Sequence, residues 1–171
     1  MKKIALFFFL IPMALHAAEG GRKGRLDVGA DLGIGVRSPA RGIVQLHFGG
    51  FPANNIRLGV TGDFQIGDSP YEGIVGLSFG FGGLFHYYFD LSGSRIAPFV
   101  GAGLGWRHLI AEDYDLNELD ATLTEAGVSI PIGAKGRFVY EPRASFHYIR
   151  GGGENSWDVR VFPASFSLRI L

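Results

Sequence analysis

Residues 73–110, GIVGLSFGFGGLFHYYFDLSGSRIAPFVGAGLGWRHLI, contain two long alternating arms that meet across a short polar turn at 90–94. In the first arm Val75, Leu77, Phe79, Phe81, Phe85, Tyr87 and Phe89 share one face at a period of two. Gly76, Ser78, Gly80, Gly82 and His86 share the other. In the second arm Val100, Ala102, Leu104 and Trp106 alternate with Gly101, Gly103, Gly105 and Arg107. The pair reads as a β-hairpin with one greasy, aromatic face and one face of small or polar residues. A membrane-spanning strand needs roughly 9–11 residues, and both arms exceed that, so lipid is the solvent that suits the aromatic face.

The start of the chain agrees. Lys2 and Lys3 precede the apolar run 4–15, and the small residues Ala17 and Ala18 follow before Glu19. This is the layout of a secretory signal peptide, residues 1–18, and the run is too short for a spanning helix. The remainder, 19–171, is one domain by length. There is no cysteine, which removes disulfides, thiol nucleophiles, cysteine-ligated zinc and a lipoprotein anchor. Loss of 1–18 leaves 14 basic residues against 16 acidic, the basic ones scattered singly, so no electropositive face for nucleic acid is expected.

The same alternation recurs along the mature chain. In 24–36, Leu26, Val28, Ala30, Leu32, Ile34 and Val36 oppose Asp27 and Asp31. In 42–48, Val44, Leu46 and Phe48 oppose Gln45 and His47, and 49–55 reads as a connection. In 56–66, Ile56, Leu58, Val60, Phe64 and Ile66 oppose Arg57, Thr61, Asp63 and Gln65. The acidic segment 111–120 reads as the largest surface loop. Beyond it Val128, Ile130 and Ile132 oppose Glu125 and Ser129, with a tight turn at 133–136. In 137–150, Phe138, Tyr140, Ala144, Phe146 and Tyr148 oppose Glu141, Arg143, Ser145 and His147. The last strand changes phase near Phe162, which places Phe162, Ala164, Phe166, Leu168 and Ile170 in its outward row. Pro163 suggests a bulge there, and Pro98, Pro131 and Pro142 belong near strand ends or bulges because each removes a ladder donor. The expected fold is all-β, a closed antiparallel up-and-down transmembrane β-barrel of about eight strands.

The run from Pro98 to Trp106, PFVGAGLGW, resembles the proline–aromatic–aliphatic–Gly-x-Gly strand of small outer-membrane β-barrel proteins, the opacity-type and OmpA-like transmembrane barrels. That resemblance implies an integral protein of the bacterial outer membrane, monomeric, with both termini in the periplasm and four short surface loops. Its partners would be outer-membrane lipids, lipopolysaccharide and the barrel-assembly machinery. It implies an envelope or surface-interaction function without enzymatic activity. The chain ends Phe166-Ser167-Leu168-Arg169-Ile170-Leu171, with leucine where such barrels carry a terminal aromatic.

Charges facing a narrow barrel interior must neutralise one another. The expected interior network comprises Asp27, Asp31, His47, Arg57, Asp63, Arg107, Glu125, Glu141, Arg143, His147 and Arg169. Reflection about the turns brings Asp31 near His47, His47 near Arg57, and Glu125 near Arg143. An eight-stranded interior is only wide enough for side chains, so a plugged lumen is expected ahead of a narrow channel. Ser145 and His147 share a face and raise a lipid-deacylating hydrolase as the enzymatic alternative, although side chains two apart on a strand need not reach each other. The histidines lack a two-ligand spacing and the acidic segment lacks a glycine-centred calcium loop, so neither a metal nor a cofactor is expected.

Overall fold

The computed structural model describes residues 22–36, 41–68, 75–91, 94–111, 114–152 and 154–170. The proposed signal peptide lies outside them. Nine antiparallel strands follow one another: β1 (Leu26–Gly35), β2 (Arg41–Ala53), β3 (Ile56–Asp68), β4 (Val75–Tyr88), β5 (Ala97–Ala111), β6 (Tyr114–Ile132), β7 (Phe138–Tyr140), β8 (Arg143–Gly151) and β9 (Glu154–Ile170). Each pairs with its sequence neighbour up to β6, and β1 pairs back onto β9, with Leu26 opposite Ile170 and Asp27 opposite Arg169. The sheet therefore closes and has no free edge. Both β7 and β8 lie between β6 and β9, separated at Glu141 and Pro142, so the ring has eight staves, one of them broken.

Burial is inverted relative to a water-soluble protein. Among the described residues 22 polar or charged side chains are buried against nine apolar ones, while Leu46, Phe81 and Leu104 are each at least 60 % exposed. Alternation dictates this outcome, because every strand sends one row into the lumen and the other outward. The hairpin of β4 and β5 behaves as its sequence predicts, with Phe79 opposite His108, Phe81 opposite Trp106 and Phe85 opposite Ala102.

Three segments differ from the sequence expectation. Residues 111–120 are not a large loop: β5 runs to Ala111, β6 starts at Tyr114, and Ile110 pairs with Asp115. The acidic run hid the alternation, since its inward members, Glu118 and Asp120, belong to a phase that ends at a bulge. The register of β6 against β8 shifts between Thr122 and Thr124, so Leu123 and Thr124 both face outward and Glu125 begins the next inward row. Phe162 is the second correction, being inward and 2 % exposed. The bulge in β9 falls after it, where β1 steps from Leu32 opposite Ala164 to Ile34 opposite Val161. Third, β2 continues to Ala53 and the connection shrinks to Asn54 and Asn55. Prolines take the positions the missing donor requires: Pro98 and Pro131 next to strand ends, Pro142 in the broken stave, Pro163 at the bulge.

A candidate functional site in the barrel lumen

Lumenal side chains form three tiers. Nearest the end that carries both termini, Arg57 is ion-paired to Asp27 and lies 3.7 Å from Glu141. Arg169 donates to Glu141 at 3.0 Å and to the Ser129 hydroxyl at 2.9 Å. The Tyr88 hydroxyl donates to the same Glu141 carboxylate at 3.3 Å. Beneath this tier Phe51, Tyr88, Ala97 and Phe99 pack as a buried apolar cluster, the ring centroids of Tyr88 and Phe99 5.2 Å apart.

The middle tier is centred on Arg143. Its guanidinium forks onto Asp31 at 3.0 and 2.6 Å and donates to Gln45 and Ser165, while Nε stands 3.3 Å from Glu125. A forked contact of this kind fixes orientation as well as charge. His47 reaches Asp31 at 3.1 Å and Asp27 at 3.4 Å, and His86 reaches Glu125 at 2.6 Å. Both imidazoles lie over glycines of the next strand. A Cβ on Gly29 would stand 2.3 Å from His47 Nε2, and one on Gly101 would stand 2.3 Å from the His86 ring. Those two glycines are where ring and backbone approach closely, and no other residue leaves the space.

The third tier turns on Asp120. One carboxylate oxygen takes Arg107 and, at 2.6 Å, Arg160; the other meets His147 Nδ1 at 2.7 Å. Arg160 also donates to Asp158 at 3.1 Å, Arg41 approaches Asp158 at 3.8 Å, and Arg107 approaches Glu118 at 3.6 Å. His147 Nε2 lies 2.8 Å from Ser145 Oγ. Ser145 and His147, which sharing a face need not have brought together, thus stand at hydrogen-bond distance, and Asp120 completes a serine–histidine–aspartate chain. A cavity of about 50 Å³ separates this tier from the middle one and is lined by Asp63, Glu125, Arg143, Ser145, His147 and Arg160. That is room for about one or a few waters.

Each of the eleven residues named from the sequence faces the lumen. Ten are buried, and Asp63 is half-buried, accepting from Gln65 at 2.7 Å. Asp31 meets His47 and Glu125 meets Arg143, as reflection about the turns predicts. His47 and Arg57 are instead joined through Asp27, which lies between them. Sequence reasoning left out Arg41, His86, Glu118, Asp120, Asp158 and Arg160. For Asp158 and Arg160 the signal was present, because Trp157, Val159 and Val161 alternate with them. For Glu118 and Asp120 it lay beneath the bulge. Among the described residues no group of histidines and carboxylates is arranged to hold a metal ion.

No protein-family model matches this sequence. None of the curated proteins matches it either. Solved structures do. Neisserial surface protein A superposes with a TM-score of 0.65 at 15 % identity, over 85 % of this chain and 96 % of that one. The chain has the fold of the small outer-membrane β-barrels. The N-terminal β-barrel domain of Pseudomonas aeruginosa OprF superposes with a TM-score of 0.56 at 14 % identity, over 89 % of this chain and all of that one. At such identities the likeness concerns architecture alone, and the tiers of lumenal charge are described from this chain's own residues.

Proposed function

We propose that the chain is an integral outer-membrane β-barrel with a structural or surface-interaction function in the envelope, and that its lumen is filled by the charged network instead of standing open. The observation that carries this is the inversion of burial: an apolar outer face on every stave encloses an interior of arginines, histidines and carboxylates. In water that outer face would drive aggregation; in lipid it is the favourable surface, and a closed sheet leaves no backbone group unpaired. Outer-membrane lipids, lipopolysaccharide and the assembly machinery are the partners this reading carries, and a monomer is its simplest state. With the lumen occupied and connections short, interaction falls to the loops of the surface end. The test is fractionation with heat-modifiable gel migration, followed by currents in planar bilayers. Recovery from soluble periplasm without detergent removes the membrane reading, and a steady large conductance replaces the plug with a channel.

A second reading, a barrel-embedded lipid-modifying hydrolase, is favoured by one observation, the chain from Ser145 through His147 to Asp120. Such a chain orients a base against a nucleophile. Against it stand the burial of Ser145, 4 % exposed, and the small adjoining cavity, which has no room for an acyl chain. Lipid A mass spectra from cells with the wild-type protein and with Ser145→Ala separate the two: a deacylated species lost in the variant establishes the hydrolase, and identical spectra remove it.

A further inference from the structure

The rim that carries both chain ends is a built, basic surface. Arg22 donates to Asp90 at 2.6 Å and lies over the Tyr88 ring, 5.0 Å from its centroid. The Asn54 side chain accepts from the Lys23 amide at 3.0 Å, fixing the strand's approach to β1. Arg95 donates to the Gly133 carbonyl at 3.0 Å, which ties the β4–β5 connection to the turn after β6. Lys135 and Arg137 project from that turn, both exposed. Among the described residues Asp90 is the one exposed acidic side chain at this rim.

The cations surround a hollow. A concavity of about 410 Å³ has Arg22, Arg25, Arg95 and Arg169 on its wall against Asp90. Arg169, 4 % exposed, also lines it, its guanidinium held from the lumen side by Glu141 at 3.0 Å and by Asp27, 3.8 Å from Nε. Immediately outside, the apolar belt ends in Phe89, Leu91, Ile96, Ile132, Phe138 and Ile170, all exposed.

We propose that this rim binds the headgroup of an anionic phospholipid of the adjoining leaflet, its phosphate in the concavity and its acyl chains on the belt. A free anion would satisfy the arginines, but it would leave unused the apolar surface that adjoins them; a phospholipid matches both. Net negative charge is required because Asp90 pairs with Arg22 and Glu141 with Arg169, whereas no carboxylate among the described residues pairs with Arg25 or Arg95, and a zwitterionic headgroup brings its own cation toward them. Each cation near a lipid surface contributes about fivefold in affinity, and salt weakens the attraction.

The proposal rests on the membrane reading, and the two fail differently. The protein folded in uncharged maltoside micelles is titrated with dihexanoyl phosphatidylglycerol, with dihexanoyl phosphatidylcholine and with inorganic phosphate, following backbone amide shifts of residues 22–25 and 133–137. Phosphatidylglycerol is expected to bind at least about fivefold more tightly than phosphatidylcholine. Arg25→Gln, Lys135→Gln and Arg137→Gln should each weaken it by a comparable factor while heat-modifiable migration confirms the fold. Equal affinity for the two lipids, an unaltered affinity in the triple variant, or displacement by inorganic phosphate at equal concentration would overturn the proposal. A protein that needs no detergent would overturn the membrane reading instead.

Discussion

His147 Nδ1 and Asp120 Oδ1 stand 2.7 Å apart across the pairing of β6 with β8, and the other oxygen of the same carboxylate holds both Arg107 and Arg160. One carboxylate thus serves three bases drawn from three strands. The arrangement stands only because the bulge at Thr122 and Thr124 rotates this half of β6, bringing Asp120 as well as Glu125 to the lumen.

Asp120→Asn should therefore be among the most destabilising conservative changes in the chain. It removes the charge opposite two buried guanidinium groups, a loss of about 3–5 kcal/mol if water does not enter. Reversible urea unfolding in lipid vesicles, followed by tryptophan fluorescence, measures it. A loss below about 1 kcal/mol would mean that the lumen is wet.

Arg143 faces two carboxylates, Asp31 and Glu125, and Glu125 faces one arginine and one histidine. Arg143→Gln is expected to cost more than Glu125→Gln, because it takes the guanidinium from two carboxylates and leaves each with a histidine, whereas the reverse change leaves Arg143 forked onto Asp31. The double variant should be less destabilised than the sum of the two, with a coupling energy of about 0.5–3 kcal/mol in a mutant cycle. A coupling near zero would dissolve the pair.

Leu104 lies at the middle of β5 and is 60 % exposed on the outer face, whereas Ala134 sits in an exposed turn. Leu104→Arg should cost roughly 2–4 kcal/mol in vesicles and Ala134→Arg close to nothing. Equal tolerance of the two changes would reject the lipid-facing assignment.

Two glycines of the same ring should respond oppositely to one methyl group. Gly29→Ala drives Cβ into the His47 ring and should cost about 1–3 kcal/mol. Gly83→Ala meets nothing nearer than a carbonyl oxygen at 3.9 Å and should be neutral or slightly stabilising. The same unfolding measurement compares them, and a neutral Gly29→Ala would show that the His47 ring and the Phe166 carbonyl, which also stands 2.3 Å from that Cβ, both give way.

Period-two alternation, the proline positions and the turn chemistry at 133–136 are local properties of a strand, and they carry the barrel, its approximate strand number and the sorting of side chains between lumen and lipid. Eleven lumenal residues, from Asp27 to Arg169, were legible for that reason: which face a residue takes depends on its own strand and little else. Phe162 and Asp120 were misplaced because a bulge moves the phase of everything beyond it. The position of a bulge depends on the neighbouring strand, here on how β1 meets β9 and β6 meets β8.

Partners across the lumen lie beyond any such local rule. Asp31 and Arg143 are 112 residues apart and meet only because β9 pairs with both β1 and β8, which sets their staves one apart in the closed ring with both side chains in the lumen. The basic rim is likewise assembled from the segment before β1, two connections and the end of β9, which closure brings side by side. By itself, then, the sequence determined the face each strand turns to lipid and the charges it hides. Closure of the ring, with its shear and its bulges, decided which of those charges meet, that Ser145, His147 and Asp120 form a chain, and where the arginines of the terminal rim gather. The physical reason is that alternation is written within one strand, whereas contact across a lumen depends on the summed registers of all eight staves.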